Sequence, residues 1–209
     1  MNNKKGKFIV FEGIDGSGKS TQIRLLAERL NKNGTKCIET REPTDSPVGS
    51  LIHQIMTGRM SADNRVIACL FAADRVDHLL NETDGILEKI NSGITVISDR
   101  YYFSSYAYHG VDMDMDWVIN TNSVSSDILR PDATIFMDIS AKTAMERITS
   151  GRDHIELYEK EERLNAVREK YFEAFEMLKN DEKVNIVDAS KSAEDISEEI
   201  WNIVSGINA

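Results

Sequence analysis

One stretch limits the folds open to this chain more than any other: Phe8-Ile-Val-Phe-Glu-Gly-Ile-Asp-Gly-Ser-Gly-Lys-Ser-Thr-Gln22. Phe8 to Phe11 is a short apolar run with the length and composition of a buried strand. Gly13-x4-Gly18-Lys19-Ser20 follows, the phosphate-loop pattern, and helix-forming sequence continues from Thr21. Glycines let the backbone turn tightly and approach a ligand closely. Gly13, Ile14, Asp15, Gly16, Ser17, Gly18, Lys19, Ser20 and Thr21 are therefore expected to cradle a triphosphate. Their amides form an anion nest, reinforced by the positive end of the following helix. Lys19 is expected to bridge the terminal phosphates, and the Ser20 hydroxyl to complete the coordination of Mg²⁺. Strand, loop and helix agree, so the chain is expected to bind a nucleoside triphosphate.

At 209 residues the chain suits one well-cored α/β domain over residues 1–209. Its formal net charge of −10 argues against a protein that coats nucleic acid, which needs a basic face. Anionic nucleotides require only a local basic cleft. Cys37 and Cys69 have no metal-ligand or CxxC spacing and read as reduced core residues of a cytoplasmic protein. Met1 to Lys7 is short and polar with no apolar signal segment behind it. No apolar run reaches the roughly 18 residues of a membrane span.

Strand-like and helix-like segments alternate along the chain. Strands are expected at Lys36 to Thr40, Ile94 to Ser98, Ala133 to Ile139 and Val184 to Asp188. Helices are expected at Lys19 to Asn33, Pro47 to Met56, Asp63 to Asn91 with a bend near Asp84-Gly85, Tyr101 to His109 and Trp117 to Ser123. Further helices follow Ser140, cover Ile155 to Lys179 and close the chain. This pattern gives a parallel sheet with helices on both faces. Ligands in such sheets gather at the C-terminal strand ends. The rule brings Gly13 to Ser20, Thr40 to Pro43, Asp99-Arg100 and Asp138 to one edge.

Several residues there have two readings. Arg41 either clamps a second phosphate or is a surface arginine beside a turn. Phe71 and Arg75 share a helix face, as a base-reading pair or as a core phenylalanine beside a surface arginine. Asp99 is either a carboxylate reaching Mg²⁺ or a helix cap, and Arg100 beside it could hold an acceptor phosphate. Asp138 reads as structural. Arg147 and Arg152 flank Ser150-Gly151, on a mobile arm over the donor phosphates or in a solvated basic turn. The four histidines form no metal-ligand cluster.

Phe11 to Gln22, Thr40-Arg-Glu-Pro43, Phe71-Ala-Ala-Asp-Arg75, Asp99-Arg-Tyr101 with Ser104-Ser-Tyr-Ala-Tyr108, and Pro131-Asp132 together resemble the thymidylate kinase family, in order and spacing. The resemblance implies a five-stranded parallel sheet, a homodimer packed through helices that include the long one, and phosphorylation of dTMP to dTDP by ATP with Mg²⁺. It implies that Asp15 lies near the acceptor sugar and phosphate, and that Arg41 and Arg100 hold that phosphate. Phe71 would stack on thymine, Arg75 would bond its O4, and Ser104 and Ser105 would lie near the base edge. Tyr108 would exclude a ribose 2′-hydroxyl. Gly16 stands where one branch of the family carries an arginine. The chain therefore resembles the branch whose catalytic arginine comes from the lid, here about residues 147–156, with Arg147 and Arg152 as candidates. His109 replaces a glutamine frequent in the family. Rival readings are a kinase for another nucleoside monophosphate or deoxynucleoside, and a GTP-driven switch. The Asn/Thr-Lys-x-Asp segment that a switch needs is missing from the sequence.

Overall fold

Five short runs become the strands of one all-parallel sheet, and helices connect them. The computed structural model describes residues 5–151 and 160–208. β1 is Phe8–Glu12, with all five residues buried, and the phosphate loop leads into α1, Lys19–Lys32. There follow β2 (Cys37–Arg41), α2 (Pro47–Met56), α3 (Asn64–Leu80), α4 (Ile86–Asn91), β3 (Thr95–Asp99) and α5 (Tyr102–Gly110). α6 (Met115–Thr121), α7 (Ser123–Ile128), β4 (Ala133–Asp138) and α8 (Ala141–Gly151) come next, then α9 (Glu161–Leu178), β5 (Val184–Asp188) and α10 (Ala193–Asn208).

The strand order is β2-β3-β1-β4-β5, so β1 is central and flanked by β3 and β4. In register, Phe11 lies beside Asp99 on one side and Ile135 on the other. α1 packs with α10, and α5 with α9 and α3, which covers the sheet with helical layers. Burying side chains such as Phe8, Phe11, Ile97 and Ile135 stabilises the fold by about 1.5–3 kcal/mol each. The sheet thereby becomes a rigid base, and its C-terminal edge presents Glu12, Arg41, Asp99 and Asp138.

Four details differ from the sequence expectation. The long helix is two helices, because the Asn81 side chain accepts from the amides of Thr83 (3.0 Å) and Asp84 (3.4 Å) and ends α3 there. The segment after Val111 holds two helices rather than one, starting earlier because Asp114 caps α6 through the Trp117 amide. The helix capped by Ser140, expected to about Ile148, continues to Gly151, so Thr149 and Ser150 are helical too. Cys69 is exposed on α3 rather than buried, while Cys37 is half-buried. Among the described residues no helix is long and apolar enough to cross a membrane.

Candidate active site

The loop between β1 and α1 depends on close backbone packing. Gly16 has φ +79°, and a Cβ there would stand 2.5 Å from the Ala144 carbonyl oxygen of α8. Lys19 is buried, and its ammonium donates to the carbonyls of Gly13 (3.0 Å) and Ile14 (3.3 Å). Burial, then the Arg100 charge, pushes its pKa down, while Asp99, Asp15 and Glu12 oppose the shift. Ser20 faces Asp99, with Oγ to Oδ2 at 3.4 Å. Asp99 Oδ1 and Ser17 Oγ are buried without a hydrogen-bond partner. A hydroxyl beside a carboxylate whose second oxygen makes no hydrogen bond, 3.9 Å from the Lys19 ammonium, fits a hard cation that takes most of its ligands from phosphates and water. Among the described residues no cluster of three or more His, Cys, Asp or Glu could enclose an ion alone.

Arg100 follows β3 with φ +77°, rare for a residue bearing a side chain. Its guanidinium donates to the Gly13 carbonyl (3.2 Å), Ser104 Oγ (3.1 Å), Tyr108 Oη (3.2 Å) and the Asp15 carboxylate. Tyr108 Oη donates in turn to Asp15 Oδ2 at 2.8 Å. Burial would raise the Asp15 pKa, but the charges of Arg100 and Lys19 and these hydrogen bonds outweigh it and hold it at about 2. Asp15, Arg100 and Tyr108 therefore form one linked unit between loop and helix.

That unit forms the polar end of a cavity of about 170 Å³. Ser104, Ser105, His53 and His109 also line it, and Pro43, Met56 and Phe71 supply apolar wall. Phe71 is half-buried, its ring 5.2 Å from that of His109. Burial, then the Arg75 charge, lowers the His109 pKa to about 4, so the imidazole is neutral at neutral pH.

Arg75 is not a surface arginine. It is only 1% exposed and does not line the cavity. Its Nε donates to Glu42 Oε2 (2.7 Å), Nη1 to Ser105 Oγ (3.1 Å) and Asn122 Oδ1, and Nη2 to the Tyr101 carbonyl (3.2 Å). Four of its five N–H donors are thus in use. Arg75 meets the cavity through Ser105. Glu42 also takes His78 Nδ1 at 3.1 Å, and Asp74 fastens the loop after Pro43 by accepting from Thr44 and Ser46.

Arg41 lies apart from this group. It is exposed, pairs with both Asp45 oxygens (3.0 and 3.2 Å), and lines a wider cavity of about 980 Å³ with Ser20, Thr40, His78 and Asp99. Arg147 donates to the Ala189 carbonyl at 3.1 Å, and its Nη1 comes within 3.9 Å of a Cβ position at Gly18, so it stands at the rim of the loop. Arg152, and the expected lid from 152 to 156, lie outside the described residues. Asp138 pairs with Arg168 of α9 (2.6 Å), a structural use.

Sequence reading missed Glu12 and Tyr171. Glu12 is fully buried, and burial pushes its pKa up against the pull of hydrogen bonds from Ser104, Tyr171 and Tyr101 and the Arg100 charge. The available signal was a carboxylate ending an apolar strand, which must find partners inside.

The fold and this pair of adjoining sites, a phosphate loop and an apolar cavity joined by an acid–arginine–phenol unit, define a P-loop nucleotide kinase. A family model described as Thymidylate kinase matches residues 11–200. A probable thymidylate kinase of Thermococcus gammatolerans is 38% identical over 208 residues, covering 95% of this chain and 96% of the relative. A thymidylate kinase of Halothermothrix orenii is 35% identical, covering 97% and 98%. The solved thymidylate kinase of Candida albicans superposes with a TM-score of 0.79 at 24% identity, over 97% of this chain and 92% of that one, and supports the fold. The chain belongs to the thymidylate kinase family.

Proposed function

We propose that this chain transfers the terminal phosphoryl group of ATP to dTMP, giving dTDP and ADP. The carrying observation is the contact of Asp15, Arg100 and Tyr108. A loop carboxylate, a strand-end arginine and a helix phenol close the polar end of a base-sized apolar cavity beside the phosphate loop. In this reading Lys19 and Arg147 neutralise the donor phosphates, and Arg152 is assigned to the same task. Arg100 holds the acceptor phosphate, with Arg41 joining it by exchanging Asp45 for the phosphate. Phe71 stacks on the base, Ser104 and Ser105 meet its edge, Arg75 acts on that edge through Ser105, and Tyr108 excludes a 2′-hydroxyl. Mg²⁺ suits Ser20 and Asp99, and when bound it offsets phosphate charge. Catalysis is then positioning and charge neutralisation without a covalent enzyme intermediate.

The working unit in this proposal is a homodimer. Val66, Cys69, Ala73 and Leu80 are exposed along one side of α3, with Val66 and Leu80 each 50% exposed. Their spacing is that of a helix seam. Two free cysteines fit a reducing compartment, and we place the enzyme in the cytoplasm.

A phosphoryl-transfer panel with dTMP, dUMP, dCMP, dGMP and AMP tests the reaction. dTMP should give the highest kcat/KM. Phosphorylation of AMP or dGMP in preference to dTMP would overturn the acceptor assignment.

A further inference from the structure

Glu12 has no part in the reading above, yet it joins the two substrate sites. It is the last residue of β1, immediately before the phosphate loop, and fully buried. Four donors converge on its carboxylate. Oε1 accepts from the backbone amides of Tyr101 (2.9 Å) and Ser104 (3.2 Å), and Oε2 from Ser104 Oγ (2.6 Å) and Tyr171 Oη (2.9 Å). Three of the four come from the start of α5, whose N-terminus has no side-chain cap of its own.

A helix start leaves amides without partners and carries partial positive charge. A carboxylate from another strand satisfies both. The Arg100 amide also donates to the end of β1, at Phe11 O (2.8 Å). Consecutive amides at 100 and 101 are thus pinned to consecutive residues of β1. Arg100 is thereby held left-handed, a conformation that persists where surroundings fix it. Ser104 Oγ, which donates to Glu12, accepts from Arg100 Nη1 at 3.1 Å. Glu12 therefore fixes both the backbone and the side chain of Arg100.

We propose that Glu12 is a positioning residue for acceptor binding: it caps α5 from β1 and aims Arg100 through Ser104, locking the acceptor site to the phosphate loop. This rests on the assignment of Arg100 to the acceptor phosphate. Glu12→Gln keeps the shape but removes the charge. With its amide oxygen on the Tyr101 and Ser104 amides, its NH2 donates to Ser104 Oγ and Tyr171 Oη, so the Ser104 hydroxyl must turn and becomes a poorer acceptor for Arg100.

Steady-state kinetics with ATP and dTMP varied separately, beside thermal melts, test the proposal. Glu12→Gln should lower kcat/KM for dTMP by about tenfold or more while KM for ATP moves less than about threefold. Tyr171→Phe removes one donor and keeps the ring. It covers the case in which Glu12→Gln does not fold, and should raise the dTMP KM by about threefold. Equal losses toward both substrates, or a lower melting temperature with unchanged acceptor kinetics, would reduce Glu12 to scaffold and overturn the inference. A crystal structure of Glu12→Gln, or of Tyr171→Phe, gives an answer without activity. Arg100 should leave Ser104 Oγ, and an unmoved Arg100 counts against the proposal. If the wild type ignored dTMP, the function reading would fail while this structural comparison still decided the role of Glu12.

Discussion

Arg75 shows how one residue can defeat the obvious experiment. Arg75→Ala would leave the 2% exposed Glu42 carboxylate with His78 but without its permanent cation, a loss of about 3–5 kcal/mol for a broken buried pair. Its denaturation midpoint should fall accordingly, and lost dTMP use in that variant would report unfolding. Phe71→Ala is the better probe of base reading, because Phe71 lines the cavity and no buried charge depends on it. We expect the dTMP KM to rise at least about tenfold with ATP binding retained, since stacking a base on a ring contributes about 1–3 kcal/mol. His109 gives a pH prediction. Its folded pKa of about 4 lies below the ordinary 6.5, because burial and then the Arg75 charge disfavour the imidazolium. As pH falls through 6.5 the unfolded chain takes up a proton that the folded chain refuses until about 4. The contribution is therefore complete above 6.5 and fades toward 4, a loss on the order of 3 kcal/mol. His109→Gln should flatten the stability profile in that window, and an unchanged slope would remove His109 as its source.

At the scale of elements, the phosphate loop depends on its contact with α8. Gly16→Ala adds a methyl that meets the Ala144 carbonyl and forces a left-handed residue, so the loop or α8 must shift. The expected result is ATP affinity weakened at least about tenfold with the sheet intact, read by nucleotide calorimetry and circular dichroism. Elements were legible where periodicity and caps agreed. Pro47–Met56 and Val184–Asp188 were expected at their observed bounds, and Ser140 caps α8 as expected. The break after Leu80 was not, because it depends on an asparagine side chain competing with the backbone inside an apolar pattern. The loop motif, Asp99 and Arg100 were legible because their types follow strand ends. The partners of Arg75 were not, because Glu42, Ser105, Asn122 and the Tyr101 carbonyl converge from distant segments, and a helical arginine looks solvated in one dimension.

For the whole molecule, the α3 seam bears on assembly. Val66→Asp combined with Leu80→Asp places two charges on the exposed apolar side and should halve the mass seen by light scattering. A wild type that is already monomeric at micromolar concentration would end the dimer proposal. A second consequence concerns motion. The guanidinium of Arg75 ties α3 to the end of β2, to α5 and to the residue between α6 and α7. Segments sharing one buried charge cannot open singly without exposing it, so their amide protons should exchange with solvent as a group, at a rate set by global unfolding. The cavity wall is then as slow to breathe as the sheet, and its shape is set before any ligand arrives.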